Sequence, residues 1–331
     1  MIILGIDTSC DDTSVAILEN RKILSNIVSS QIKFHSKYGG IVPEIASRKH
    51  IEWIWDVTER ALNEAKVKLN DVDLISVCHG PGLIGSLLVG LCFAKALSYA
   101  SHKPLIGVNH LEGHIQAIFF RRKVSRVSIF NSYSFRGHTS LYRVDDFGKY
   151  KELGRTRDDA AGEAYDKVAK MLGLGYPGGP VIDALAQNGD VEKFNLPRPY
   201  LQGTLDFSFS GLKTAVKVLL RNLGYEEEFP PEEIKRDISA AFQASVVDVL
   251  IEKVRWAGAM ENLKRVVITG GVAANSELRK RAQMIEDLEV YLPSKSLCTD
   301  NAAMIAVAGY HRFLRGEKSD LYLNARAYLP L

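Results

Sequence analysis

Residues 2 to 18, IILGIDTSCDDTSVAIL, run apolar, then polar, then apolar again. β-branched residues flank the polar stretch, a pattern that predicts a strand, a tight turn and a second strand. Residues 126 to 144, RVSIFNSYSFRGHTSLYRV, repeat it, and both turns draw on Ser, Thr and Gly. Further along each half an apolar strand pattern enters a glycine turn and then a helix. The first such run is DLISVCHGPGLIGSLLVGLCFAKAL from Asp73, the second RVVITGGVAANSELRKRAQ from Arg265. The copies are offset by roughly 120 and roughly 190 residues, which implies one α/β unit used twice with an insertion in the second. Unrelated α/β segments share such patterns, so periodicity by itself leaves the duplication as an expectation.

Helical spacing fills the intervals. VPEIASRKHIEWIWDVTERALNEAK carries its apolar residues at helical period with Pro43 near the start. AGEAYDKVAKMLGL predicts a helix ending at Gly173, and KRDISAAFQASVVDVLIEKVRWAG a long amphipathic one. YEEEFPPEEI, acidic with two prolines, predicts a surface loop. Strands alternating with helices point to an α/β architecture with mixed or parallel sheets, in two lobes with a cleft between them.

Composition removes several classes. The chain has 331 residues, 46% hydrophobic and 24% charged, enough to bury a large core without disulfides. Its net charge of +3 is too small to indicate nucleic-acid binding by itself, though it allows a local basic patch. Lys33, Lys37, Arg48, Lys49, Arg121, Arg122 and Lys123 are candidates for phosphate contacts, although such charges commonly form a solvated surface. Cys10, Cys78, Cys92 and Cys298 form no C-x-x-C pair, so neither a zinc ribbon nor a disulfide framework is predicted, and the expected compartment is a reducing cytoplasm. MIILGIDTSC has no basic leader and enters a strand at once, so no secretory signal is predicted. LIGSLLVGLCFAKALSYA contains Lys95 and predicts a buried helix rather than a membrane span.

Several stretches could carry chemistry. DTSCDDTS, positions 7 to 14, sets Asp7, Asp11 and Asp12 among hydroxyl residues. Such a turn can offer N–H groups to phosphate and carboxylates to a metal, or simply be a hydrogen-bonded hairpin turn. HGPGLIGSLLVG has glycines at 80, 82, 85 and 90, which suit either an anion at a helix start or close helix-to-strand packing. In TGGVAANSELRK, Asn275 sits near a helix start, where its amide could reach a nucleotide. GLGYPGGPVIDALA places Asp183 where it could accept hydrogen bonds from ribose hydroxyls, or merely begin a helix.

NHLEGH, with His110 and His114 four residues apart, puts two imidazoles on one helix face. A zinc protease needs H-E-x-x-H, with the glutamate directly after the first histidine. Here Glu112 is two residues on, roughly 200° around the helix, and points away from a shared metal. Gly113 would weaken that helix by about 1 kcal/mol relative to Ala. The protease reading fails on geometry. A carboxylate such as Asp300 in SLCTDNAA would complete a two-histidine, one-carboxylate metal set; satisfied structural histidines account for the pair equally well.

Taken in order, GIDTSCDDTSVAIL, YGGIVPEIASRKH, GPGLIGSLLVGL, VNHLEGH, DDAAGEAYDKVAKMLGLGYPGGPVID, DFSFSGLKTAV, GGVAANSELR and CTDNAAMIA resemble the TsaD family of tRNA N6-adenosine threonylcarbamoyltransferases, in its bacterial and organellar branch. The resemblance runs from residue 3 to about residue 328. It implies the duplicated actin-like ATPase fold of sugar kinases and heat-shock chaperones. It also implies transfer of a threonylcarbamoyl group from threonylcarbamoyl-adenylate to N6 of the adenosine next to the anticodon of ANN-reading tRNAs, with loss of AMP. One divalent metal, Fe2+ or Zn2+, is expected on His110, His114 and Asp300. Nucleotide contacts are expected from Ser134, Gly137, His138, Asp166, Gly179, Asp183 and Asn275, and Asp11 is a candidate proton acceptor. The implied partners are the paralogous TsaB and the ATPase TsaE, in the cytoplasm and without a membrane. The expected division is residues 1–108 plus 305–331 for an N-terminal lobe and 109–304 for a C-terminal lobe with a helical insertion.

One motif departs from the family. Where it has V-S-G-G-H-T, this chain reads SFRGHT, with Phe135 and Arg136 in place of a serine and a glycine. Bulk there could block the nucleotide, or Arg136 could add a phosphate contact, so an altered adenylate affinity is expected. Competing functions are a kinase or ATPase of the same fold, a binding subunit with a weakened nucleotide site, and the older endopeptidase reading, which the displaced glutamate opposes.

Overall fold

The computed structural model describes residues 1–120, 129–135 by their backbone, and 138–331. The chain forms two compact units, Met1–Arg126 with Asp146–Lys149 and Thr299–Leu331, and Val127–Asp145 with Tyr150–Cys298.

The first unit is built on β1 (Ile2–Asp7), β2 (Asp12–Glu19), β3 (Lys22–Ser30), β4 (Leu74–Gly80) and β5 (Leu105–Asn109), in the order β3-β2-β1-β4-β5. β1 pairs antiparallel with β2 and parallel with β4, which continues parallel to β5. The first two strands form the hairpin that the alternation predicts. β1 is apolar up to its last residue, Asp7, because helices cover both of its faces. The Pro43–Ala65 helix contributes Ile54, Val57 and Ala61 to the core on one side. The Ala302–Leu314 helix lies on the other, where its small residues allow close approach to Gly5. The Ile84–Ser101 helix sets Leu87, Leu91 and Ala94 against the sheet, but its opposite face leaves Ile84, Leu88 and Tyr99 exposed. The expected buried helix is therefore buried on one side only.

The second unit contains β6 (Ile129–Phe135), β7 (His138–Asp146), β8 (Lys149–Arg155), β9 (Arg265–Thr269) and β10 (Glu289–Tyr291), in the order β10-β9-β6-β7-β8. Read from the other end, this is the topology of the first sheet. β6 pairs antiparallel with β7 and parallel with β9, as β1 does with β2 and β4. The repeat in the sequence is thus a repeat of structure. The insertion supplies the helices Gly178–Ala186, Ser210–Asn222 and Glu232–Met260. The last differs from its amphipathic expectation: from Asp237 to Val254 it is buried on nearly all sides. Two of its buried charged residues are paired. Lys193 Nζ meets Asp237 Oδ2 at 2.6 Å, and Lys253 Nζ donates to the Leu201 carbonyl at 2.7 Å.

The unit boundary also differs from the expected division at 108/109 and 304/305. Residues 109 to 120 and 299 to 304 belong to the first unit. β5 runs straight into the His110–Gln116 helix, whose seven residues are all buried and which packs on Ala302–Leu314. A cut after residue 108 would expose that apolar contact.

Candidate functional site

Two local devices place the histidines. Asn109 caps the His110–Gln116 helix by accepting the Leu111 N–H at 2.8 Å, and its own amide donates to the Leu329 carbonyl at 3.0 Å. Gly113 lets the helix approach its neighbour, since a Cβ there would lie 2.9 Å from Ile305 Cδ1 and 3.2 Å from Met304 Cγ. The helix propensity lost at this glycine is the condition for that packing.

His110 and His114 then face each other edge to face, with ring centroids 4.8 Å apart. Asp300 stands just before Asn301, which caps the Ala302–Leu314 helix through Met304 N at 3.1 Å. Its Oδ1 lies 3.2 Å from His114 Nε2 and 3.5 Å from His110 Nε2. Both histidines are buried, Asp300 is 8% exposed, and the three ligand atoms lie within 4.8 Å of one another, so the group could hold a metal ion. The electrostatics suit that use. Burial lowers the His114 pKa and keeps its ring neutral, as a ligand must be. Burial would raise the Asp300 carboxyl, but His110 and His114 outweigh it and hold the group below the usual carboxylate range.

A second group of three, Asp7, Cys78 and His110, adjoins the first. Burial, reinforced by the Asp7 charge, pushes the Cys78 thiol up to about 11, so an ion bound there would first have to displace a firmly held proton. The His110, His114 and Asp300 set therefore fits a divalent cation better.

Glu112 turns away, as its spacing requires. Fully buried, its Oε2 accepts Arg312 Nε at 2.7 Å and lies 2.7 Å from Arg312 Nη2, while Gln116 Nε2 donates to Oε1 at 3.1 Å. A glutamate held in this way is unavailable as a protease base. Asp11 is buried in the β1–β2 turn, and its charge, after that of Asp7, acts on His50 of the neighbouring helix.

The nucleotide candidates fall in the second unit. Asp166 Oδ1 accepts Gly178 N at 2.8 Å, at the start of the Gly178–Ala186 helix. Gly178 is clamped, since a Cβ there would lie 2.5 Å from the Tyr165 carbonyl, whereas a Cβ on Gly179 would meet nothing within 4 Å. Asp183 accepts Ser276 N at 3.1 Å and Ser276 Oγ at 2.7 Å. Asn275 caps the next helix by accepting Leu278 N at 2.9 Å, and its amide donates to Gln243 Oε1 at 2.6 Å. These bonds join Asp166 to Gly178, Asp183 to Ser276, and Asn275 to Gln243. His138, half-buried, opens β7 opposite Phe135, and the next residue, Thr139, accepts Ala161 N at 3.0 Å.

The side chains of Ser134 and Phe135, and all of Arg136, Gly137, Arg121, Arg122 and Lys123, lie outside the described residues. Of the other basic candidates Lys33, Lys37 and Arg48 are exposed, while Lys49 pairs with Glu52 at 2.6 Å and sits 4.8 Å above the Phe34 ring. Sequence reasoning missed Gln243, Ser276 and Arg312 as the partners of the residues it chose. Gln243 carried the clearest signal, a polar residue in the otherwise small and apolar run SAAFQASVV.

A family model described as TsaD, tRNA N6-adenosine threonylcarbamoyltransferase, matches residues 22–307. A tRNA N6-adenosine threonylcarbamoyltransferase of Thermodesulfovibrio yellowstonii is 78% identical, covering 100% of both chains. One of Caldicellulosiruptor saccharolyticus is 49% identical over 100% of this chain and 98% of its own. Among solved structures, full-length HypF in its phosphate- and nucleotide-bound form aligns with TM-score 0.60 at 15% identity, over 95% of this chain and 46% of that one. Component A of the (R)-2-hydroxyglutaryl-CoA dehydratase of Acidaminococcus fermentans aligns with TM-score 0.58 at 17% identity, over 94% and 98%. These structural likenesses bear on the fold alone, which is the α/β actin-like ATPase fold.

Proposed function

The chain belongs to the TsaD family, the tRNA N6-adenosine threonylcarbamoyltransferases, and from that membership we propose how its residues divide the work. Its activity is threonylcarbamoyl transfer to adenosine N6 of tRNA. The donor in this reading is threonylcarbamoyl-adenylate, and the acceptors are ANN-reading tRNAs. The adenine N6 lone pair forms a bond to the carbamoyl carbon, the bond from that carbon to the AMP phosphate oxygen breaks, and N6 gives up a proton. AMP leaves with the bonding electron pair.

The observation that carries the reading is the convergence of His110, His114 and Asp300 in one buried set. A divalent ion held there, iron or zinc, would supply Lewis acidity to the threonylcarbamoyl group, which suits a nucleophile as weak as adenine N6. His110 and His114 give neutral nitrogens, and Asp300 gives a charge and the only solvent-reaching edge of the three. Asp11 is the proposed proton acceptor. In the second unit Gly179 gives open backbone for a phosphate at a helix start, with Asp166, Asp183, His138 and Asn275 framing the nucleotide side. Ser134 and Gly137 are proposed there from the family pattern.

The reading includes the paralogous TsaB and the ATPase TsaE, in the cytoplasm. Support for a protein partner comes from an uncovered apolar face: Ile51 and Trp55 on the Pro43–Ala65 helix, and Ile84, Leu88 and Tyr99 on Ile84–Ser101, are all exposed. The test is reconstitution with metal, both partners, the adenylate and an ANN-reading tRNA, with modified adenosine read by mass spectrometry. Product that disappears in His114→Ala is expected. No modified adenosine from a fully metallated sample would refute the reading.

A further inference from the structure

His110 presents its two nitrogens to different surroundings. Nε2 faces Asp300 at 3.5 Å, on the side of His114. Nδ1 lies 3.3 Å from Asp7 Oδ2 and 3.1 Å from Ser9 Oγ. A neutral imidazole carries one proton, and the nitrogen that holds it cannot bind an ion. What surrounds Nδ1 therefore decides whether Nε2 is a ligand.

Asp7 ends β1, is 1% exposed, and uses Oδ1 to accept Ser9 N at 2.9 Å. Its Oδ2 is enclosed and makes no hydrogen bond to any described residue; His110 Nδ1 lies 3.3 Å from it, and the Cys78 thiol belongs to the same buried cluster. A carboxylate only accepts, so it favours the tautomer with the proton on Nδ1. The Ser9 hydroxyl donates or accepts and fits either tautomer. The Cys78 thiol, also beside His110, is a weak donor. A bond to an ionised acceptor outweighs both.

We propose that Asp7 is the positioning residue of the metal centre: it accepts the His110 Nδ1 proton, fixes the tautomer, and turns the Nε2 lone pair toward Asp300 and His114 for a divalent cation. Carboxylate-to-histidine bonds of this kind also strengthen the imidazole as a ligand. The inference rests on the metal reading of His110, His114 and Asp300, and the test separates the two.

The full chain is stripped with a chelator and titrated with Co2+ and Zn2+ against a chromogenic competitor. Binding by the unaltered chain and none by His110→Ala upholds the metal reading. Asp7→Asn keeps the size, but its amide can donate to Nδ1 and impose the wrong tautomer. It is expected to bind about 10- to 100-fold more weakly and to show a changed cobalt visible spectrum, with the unfolding midpoint of the metal-free protein unmoved. Asp7→Glu, which restores the acceptor, is expected to recover part of the affinity. Equal affinity for Asp7→Asn and the unaltered chain overturns the inference. Should Asp7→Asn fail to fold, long-range proton–nitrogen NMR of the metal-free unaltered chain decides: His110 protonated on Nδ1 supports the assignment, and protonation on Nε2 overturns it. A chain that takes up no divalent ion overturns the metal reading instead, and the ring measurement still decides the role of Asp7.

Discussion

Replacing Glu112 by Gln separates a structural glutamate from a catalytic one. The perturbation keeps the shape of a fully buried side chain and removes its charge. It opposes an amide to Arg312, whose Nε and Nη2 both lie 2.7 Å from Glu112 Oε2. Removing one partner of a buried ion pair costs about 3–5 kcal/mol. Two features reduce that figure here. The Arg312 side chain is 26% exposed and can regain water, and Glu317 Oε2 lies 3.3 Å from its Nη1 as a second partner. The expected loss is therefore about 2–3 kcal/mol, read as a shifted midpoint in urea. Glu112→Gln combined with Arg312→Met should lose less than the sum of the two single changes, because the pair is coupled. Cobalt affinity should hardly change, since Glu112 points away from His110 and His114. A loss below about 0.5 kcal/mol, the range of an ordinary surface change, would refute the structural role. So would a loss of metal binding as deep as that of His114→Ala.

Four further outcomes are expected. Gly178→Ala forces a Cβ to 2.5 Å from the Tyr165 carbonyl and 2.8 Å from Asp166 Cα, and should destabilise by about 1–3 kcal/mol. Gly179→Ala meets nothing within 4 Å, so it should unfold at the wild-type midpoint while weakening nucleotide binding in calorimetry; equal midpoints for the two variants would contradict the geometry. Burial, with Arg21 and Arg315, pushes His311 from 6.5 down to about 4, so the folded state binds its proton less readily than the unfolded chain. The resulting stability is full above pH 6.5 and is lost as pH falls toward 4, by up to about 3 kcal/mol; His311→Gln should flatten that acid limb, and an unchanged slope would be evidence against it. Restoring the family pattern with Phe135→Ser and Arg136→Gly should change adenylate affinity in calorimetry, and equal affinities would dispose of that expectation.

Local rules carried the reading furthest where the chemistry is local. Two histidines at i and i+4 lie on one face of any helix, so the pairing of His110 with His114, and the exclusion of Glu112 from it, could be read from three letters of spacing. The duplicated strand-turn-strand pattern could be read as well, because burial on a sheet enforces its period wherever the unit recurs. The boundary at residue 108 was misplaced because no local signal says on which core the His110–Gln116 helix will pack. Asn275 shows a related limit: a residue at a helix start can cap or reach outward, and its bond to Gln243, 32 positions away, is set by the fold.

By itself the sequence determined the α/β class, the repeat, the family and the side chains that could bind a metal, since these follow from periodicity and from residue types in fixed local order. Only the tertiary structure decided what surrounds them. Asp300 reaches His114 across 186 positions, Arg312 reaches Glu112 across 200, and Ser9 reaches His110 across 101. Contacts at such separations are set by which helices pack on which sheet, and a tautomer, a buried ion pair and a metal set all depend on them.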